Sequence, residues 1–125
     1  MLLDTSAWVE IFEGTEKGKY ASEVLRKENC FTSIVTVAET AEWCSKKGLL
    51  HKTSQFFELV KAGSRLLGVD ESISRRAGEL NHERKKVGKK WGMIDSIIVT
   101  TAQAYGLKIL TKDYAFRDLA DAEVL

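Results

Sequence analysis

The sequence contains no proline, two cysteines and two histidines in 125 residues. With no proline, no low-complexity stretch and no internal repeat, nothing in it reads as a linker. A single domain over residues 1–125 is therefore the economical expectation. Cys30 and Cys44 are far apart, lack C-x-x-C spacing and read as buried, reduced thiols. His51 and His82 stand alone, which leaves no zinc constellation. No apolar run approaches the length of a membrane span. Asp4, Glu10 and Glu13 interrupt what would be the apolar region of a signal peptide, so a cytoplasmic protein away from membranes is expected. An excess of one charge is also missing: 19 Lys and Arg against 18 Asp and Glu give a net +1. Any affinity for nucleic acid must then come from a local patch.

What is present is an alternation. "MLLD" reads as a short strand, "SAWVEIF" and "YASEVLRK" as helices, and "NCFTSIV", rich in β-branched and aromatic residues, as a second strand. "AETAEWCSKK" and "SQFFELVKA" are helical, with Gly48 and Gly63 as stops, and "SRLLGV" is a third strand. "ISRRAGELNHER" puts Ile73, Ala77 and Leu80 on one helical face. "MIDSIIVTTAQAY" is a helix closed by Gly106, "LKILT" a fourth strand and "AEVL" a fifth. Strands alternating with helices imply βαβ units and a mainly parallel sheet covered on both faces. Such sheets bind ligands outside the carboxyl ends of the strands, where strand order reverses.

Carboxylates stand at those ends: Asp4 after the first strand, Glu39 after the second, Asp70 after the third and Asp113 after the fourth. Asp95 opens the helix before the fourth strand. Each has a local reading. Asp4, Asp70 and Asp113 suit helix N-caps, Thr36-x-x-Glu39 suits a capping box, and the helix dipole favours Asp95. Asp95 resists that reading best, because it shares a helix face with Ile98, Val99, Ala102 and Gly106. An ionised carboxylate on an apolar face is costly unless it is paired or binds a metal. If Asp4, Glu39, Asp95 and Asp113 converge, their repulsion is relieved by a divalent cation, and Mg²⁺ or Mn²⁺ suits an all-oxygen donor set.

These blocks carry a resemblance. "LLDTSAW", "SIVTVAE", "GMIDSIIVTTAQAYGLKILTKD" and Phe116 occur in an order and spacing that cover essentially the whole chain. The chain resembles the PIN domain family and, within it, the stand-alone VapC-type toxin ribonucleases. The resemblance implies a three-layer α/β fold whose central, mainly parallel sheet of four to five strands is flanked by helices. It implies an acidic quartet at Asp4, Glu39, Asp95 and Asp113 that binds Mg²⁺ or Mn²⁺ and catalyses RNA cleavage. It matches Ser6 and Thr111 to small hydroxyl residues beside that quartet. It also implies a homodimer and neutralisation by a small antitoxin protein. Two positions depart from the family's pattern: Ala115 stands where many relatives have an acidic or polar residue, and Met93 and Ile94 precede Asp95 without a second acid. The site therefore reads as minimal.

In this reading Asp4, Asp95 and Asp113 hold a cation, Glu39 holds a second ion or orients water, and Ser6 and Thr111 fix carboxylate orientation. "ERKKVGKKW" is the one strong charge run. Its Lys85, Lys86, Lys89 and Lys90 lead directly to Asp95 and suit contacts with an RNA backbone, although a solvated helix end gives the same pattern. Three other readings compete: an RNA-processing nuclease of this fold with no toxin role, a receiver-like domain with Asp70 as phosphoacceptor and Lys112 as its partner, and a catalytically silent binding module.

Overall fold

The computed structural model describes residues 1–88 and 90–125. In chain order the elements are β1 (Leu2–Leu3), α1 (Thr5–Glu13), α2 (Glu16–Lys27), β2 (Phe31–Ser33), α3 (Ile34–Lys46), α4 (Thr53–Gly63), β3 (Arg65–Leu67), α5 (Glu71–Lys85), α6 (Met93–Tyr105), β4 (Ile109–Thr111) and β5 (Ala122–Val124). Short 3₁₀ turns cover Leu50–Lys52 and Tyr114–Phe116. The strands form one parallel sheet in the order β3-β2-β1-β4-β5. From β1 the chain moves outward through β2 to β3, then returns to the other side of β1 as β4. The order reverses between β1 and β4, so the predicted ligand position lies at their carboxyl ends.

Alternation along the strands divides the core. Leu3 and Leu110 point to one face and pack with Ala7, Trp8, Val24, Phe56 and Val60 of α1, α2 and α4. Leu2 and Ile109 point to the other and pack with Trp91, Ile98, Val99, Ala102 and Phe116. Both faces of the sheet are thus covered, as expected for short strands that read as continuous apolar runs. Trp8 is a core residue with no exposure. Its indole N–H donates to Thr32 Oγ1 at 3.0 Å, which meets Ser64 Oγ at 2.7 Å. Among the described residues, no helix is long and apolar enough to cross a membrane.

β2 is shorter than "NCFTSIV" suggests. Ser33 accepts a hydrogen bond from the Val35 N–H at 3.3 Å and starts α3, so Ile34 and Val35 are helical despite their strand propensity. The expected Thr36–Glu39 capping box does not form. Thr36 lies inside α3, its buried Oγ1 has no partner among the described residues, and Glu39 stands one turn further along.

α1 and α2 touch through a glycine. A Cβ at Gly18 would stand 2.0 Å from the Glu10 carbonyl oxygen. Both partners are helix backbone, so neither yields alone. Gly18→Ala is expected to destabilise the protein by about 1–3 kcal/mol, seen as a lower urea midpoint with an unchanged slope.

The topology excludes the receiver-like reading. That fold has the order 2-1-3-4-5. Here Asp70 follows the edge strand β3 while Lys112 follows β4, with β2 and β1 between them, a separation of about 14 Å at ordinary strand spacing. Asp70 instead caps α5, accepting the Ile73 N–H at 2.8 Å.

Candidate metal centre

Asp4, Glu39, Asp95 and Asp113 line one cleft of about 420 Å³ at the β1–β4 switch point. Trp43 forms part of its wall, as does Lys112, which pairs with the buried Glu10 at 3.3 Å. For Asp4, Asp95 and Asp113 the local capping bonds form, and the same side chains line the cleft. Asp4 Oδ1 caps α1 through the Ala7 N–H at 3.1 Å. Asp113 Oδ1 accepts the Ala115 N–H at 2.9 Å. Asp95 Oδ2 accepts the Gly92 N–H at 3.0 Å, closing a turn at the start of α6. These bonds lock each carboxylate where its strand or helix ends and leave further acceptor capacity facing the cleft.

Asp4 is the most enclosed of the four. Ser6 Oγ donates to its Oδ1 at 2.7 Å and Thr111 Oγ1 to its Oδ2 at 2.6 Å. Each hydroxyl is itself held by a backbone donor: Ser6 by the Lys112 N–H at 2.8 Å, Thr111 by the Asp113 N–H at 2.9 Å. The two hydroxyls thereby tie Asp4 to the tip of β4. With three of its four lone-pair positions engaged, Asp4 keeps one on Oδ2. Glu39 is oriented by Thr5, whose Oγ1 donates to Oε1 at 2.5 Å.

Burial raises the Asp4 carboxyl to about 6, and the neighbouring Asp95 charge adds to this, while Thr111, Ser6 and the Ala7 N–H oppose it. Glu39 is raised by burial and by the charges of Asp95 and Glu42, against its bond from Thr5. Asp95 is raised by burial and by Asp113, against the Gly92 N–H and the Arg84 charge. Three carboxylates that resist ionisation in the same cleft invite a cation.

Among the described residues, no three His, Cys, Asp or Glu side chains form a ready-made cage. An open, all-carboxylate cleft fits Mg²⁺ or Mn²⁺, which retains waters and needs only one or two carboxylates plus substrate phosphate. Without cation, the linkage has a definite sign. Native Asp4, raised above its ordinary 3.8, keeps its proton when the unfolded chain has lost it. The stabilisation is therefore complete below pH 4 and lost as pH rises towards 6, by up to about 3 kcal/mol. In EDTA, Asp4→Asn is expected to gain on wild type over that interval, measured as the difference between their urea unfolding free energies so that other titrating groups cancel.

The neighbourhood of α6 contains residues that sequence reasoning missed. Trp91 is buried, not a surface aromatic of the basic run. It packs at 4.8 Å on Phe116 and donates to Ser96 Oγ at 2.7 Å. Arg84 lies 4.2 Å over the Trp91 ring, donates to both Asp118 oxygens at 2.6 and 3.1 Å, and donates to the Ala115 carbonyl at 3.0 Å. It clamps the turn after Asp113 to α5. Of the predicted RNA contacts, Lys85 and Lys86 are exposed at the end of α5, with Lys86 3.3 Å from Glu83. Lys90 lines a hollow next to the carboxylate cleft. Lys89 lies outside the described residues.

A sequence profile of the PIN domain matches residues 1–122. No curated protein matches the chain in sequence. Among solved structures, the chain is similar to a toxin–antitoxin complex from Klebsiella pneumoniae, with 21% identity, a TM-score of 0.74, and 98% of this chain and 95% of that one covered. It is similar to VapBC2 from Rickettsia felis bound to a promoter DNA fragment, with 17% identity, a TM-score of 0.78 and coverages of 99% and 97%. It is also similar to VapC20 from Mycobacterium tuberculosis, described as a Sarcin-Ricin loop cleaving toxin, with 16% identity, a TM-score of 0.78 and coverages of 98% and 97%. At these identities the likeness is one of fold.

Proposed function

The chain belongs to the PIN domain family, and on that premise we propose that it is a single-domain, divalent-cation-dependent endoribonuclease, the cytoplasmic toxin of a toxin–antitoxin pair. The observation that carries this reading is the meeting of Asp4, Glu39, Asp95 and Asp113 in one cleft at the strand-order switch point. Likeness of fold to VapC20 and to toxin–antitoxin complexes supports it.

Asp4, Asp95 and Asp113 would hold the cation, with Glu39 lining the same cleft. A bound Mg²⁺ or Mn²⁺ supplies Lewis-acid activation of a water and offsets negative charge on the phosphate oxygens. The protein's own contribution is placement. Ser6 and Thr111 favour the ionised form of Asp4 against its burial and aim it, Thr5 turns Glu39, and the Gly92 turn presents Asp95 from the positive end of α6. Glu39 would hold a second ion or orient the attacking water. Lys85, Lys86, Lys89 and Lys90 contact the RNA backbone. The partners are an RNA substrate, a second copy of the chain as a homodimer and a small cognate antitoxin.

The test is cleavage of purified total RNA in Mg²⁺ or Mn²⁺ against EDTA, with sequencing of the new 5′ ends after induction in cells. Metal-dependent cuts at defined positions, with growth arrest relieved by the small protein encoded beside this one, are expected. Cleavage without growth arrest would assign the chain to RNA processing, and no cleavage would remove the nuclease reading.

A further inference from the structure

Beyond Asp113, away from the carboxylate cleft, a second hollow of about 720 Å³ opens, and Asp113 lines both. This volume lies within the range of about 300–1,000 Å³ typical of ligand sites. Tyr114, the next residue, is 68% exposed. The Arg117 guanidinium sits 4.4 Å from the centre of its ring, and Arg117 Nη1 donates to the Tyr114 carbonyl at 3.1 Å. One face of the ring is thus backed by a cation while the side chain as a whole remains open to solvent.

The shelf is rigidly mounted. Phe116, two residues on, is fully buried against Trp91, and Arg84 grips both the Ala115 carbonyl and Asp118. Arg84 and Asp118 neutralise one another. Lys90 and Arg117 line the same hollow and form no ion pair among the described residues. An exposed aromatic beside two cations that form no ion pair among the described residues suits a base with its flanking phosphates, since stacking is tolerant of sequence and cations follow the backbone. The contrast with the neighbouring cleft is sharp: six carboxylates, of Asp4, Glu10, Glu13, Glu39, Asp95 and Asp113, face the single Lys112 there. A phosphate backbone passing the scissile position is drawn towards the Tyr114 side.

We propose that this hollow is the subsite for the nucleotide adjoining the scissile phosphate, its base stacked on Tyr114 and its phosphates met by Lys90 and Arg117. The proposal rests on the ribonuclease reading and adds to it the residue that receives a base. Tyr114 and Asp113 are consecutive, about 3.8 Å apart at Cα, so a strand lying at the carboxylates reaches the ring within one nucleotide.

The test compares two labelled single-stranded probes in Ca²⁺: an oligoadenylate dodecamer and a dodecamer of the same backbone without bases. Tyr114→Ala is expected to weaken oligoadenylate binding about 5- to 150-fold and to leave the abasic probe unchanged, with Tyr114→Trp restoring the loss. Lys90→Gln with Arg117→Gln should weaken both probes and flatten the salt dependence by roughly 0.7 for each phosphate no longer neutralised. Thermal melts of each variant check folding, and Tyr114→Phe, which keeps the ring, should bind as wild type does. Equal effects of Tyr114→Ala on both probes, or no effect on either, overturn the subsite; in the second case the shelf is left to a protein partner. The ribonuclease reading fails separately, through absence of cleavage by wild type in Mg²⁺ and Mn²⁺, and the difference between the probes still decides the subsite. A wild type that binds neither probe overturns it.

Discussion

Asp95→Asn is expected to abolish metal-dependent RNA cleavage, lowering it by more than about 100-fold, while the protein stays folded. Asn retains the size of Asp and an oxygen for the Gly92 N–H, so the turn at the start of α6 survives. It removes the charge that a cation would need there and that raises both Asp4 and Glu39. Loss of partners that merely orient a metal ligand already costs about 10–100-fold, and removing a ligand charge should exceed that. The melting temperature in EDTA should not fall, since a partly buried carboxylate near three others repels them. Cleavage by Asp95→Asn at the wild-type rate would reduce Asp95 to the capping role its hydrogen bond also describes.

Thr111→Val is expected to lower cleavage by about 10–100-fold without touching substrate. Valine fills the same space and removes the hydroxyl. Two groups then lose their partner at once: the buried Asp4 Oδ2 its donor and the partly buried Asp113 N–H its acceptor. The loss should appear as a higher Mg²⁺ concentration for half-maximal activity, with the KM for RNA little changed. Thr111→Ser, which keeps the hydroxyl, should recover most of the activity. A rise in KM for RNA at an unchanged Mg²⁺ requirement would place Thr111 in the substrate path instead of behind Asp4.

The contrast between these residues shows what can be read from a chain like this. Asp95 was legible because helical periodicity alone puts it on the face of Ile98, Val99 and Ala102, all of which are buried. The strands were legible as short apolar runs between helices, and their parallel pairing, Leu3 with Leu110, brings Asp4 and Asp113 to the adjacent tips of β1 and β4. The beginning of α3 was not, because Ile34 and Val35 favour a strand on their own and only the Ser33 cap and tertiary packing override them. Arg84 was hidden by its company. Within "ERKKVGKKW" it has the same charge as the exposed Lys85, Lys86 and Lys90, and its clamp on Asp118 joins residues 34 apart. Trp91 in the same run was hidden for the same reason, since its partners Ser96 and Phe116 come from α6 and from the turn after β4. Thr5 is a milder case: it stands beside Asp4 in sequence, yet its partner Glu39 comes from another helix.

The claim on which all of this depends is that the four carboxylates act as one cation site. Calorimetric titration of the metal-free protein with Mn²⁺ near neutral pH tests it most directly, with wild type and the Asp4→Asn/Asp95→Asn double variant run side by side. Saturable binding to wild type is expected, with a rise in melting temperature that follows cation concentration by mass action, and both signals should be absent from the double variant. Binding of equal strength in the two proteins, or none in wild type, would contradict it: Asp4, Asp95 and Asp113 would then be caps, and Glu39 a partner of Thr5, that happen to share a cleft.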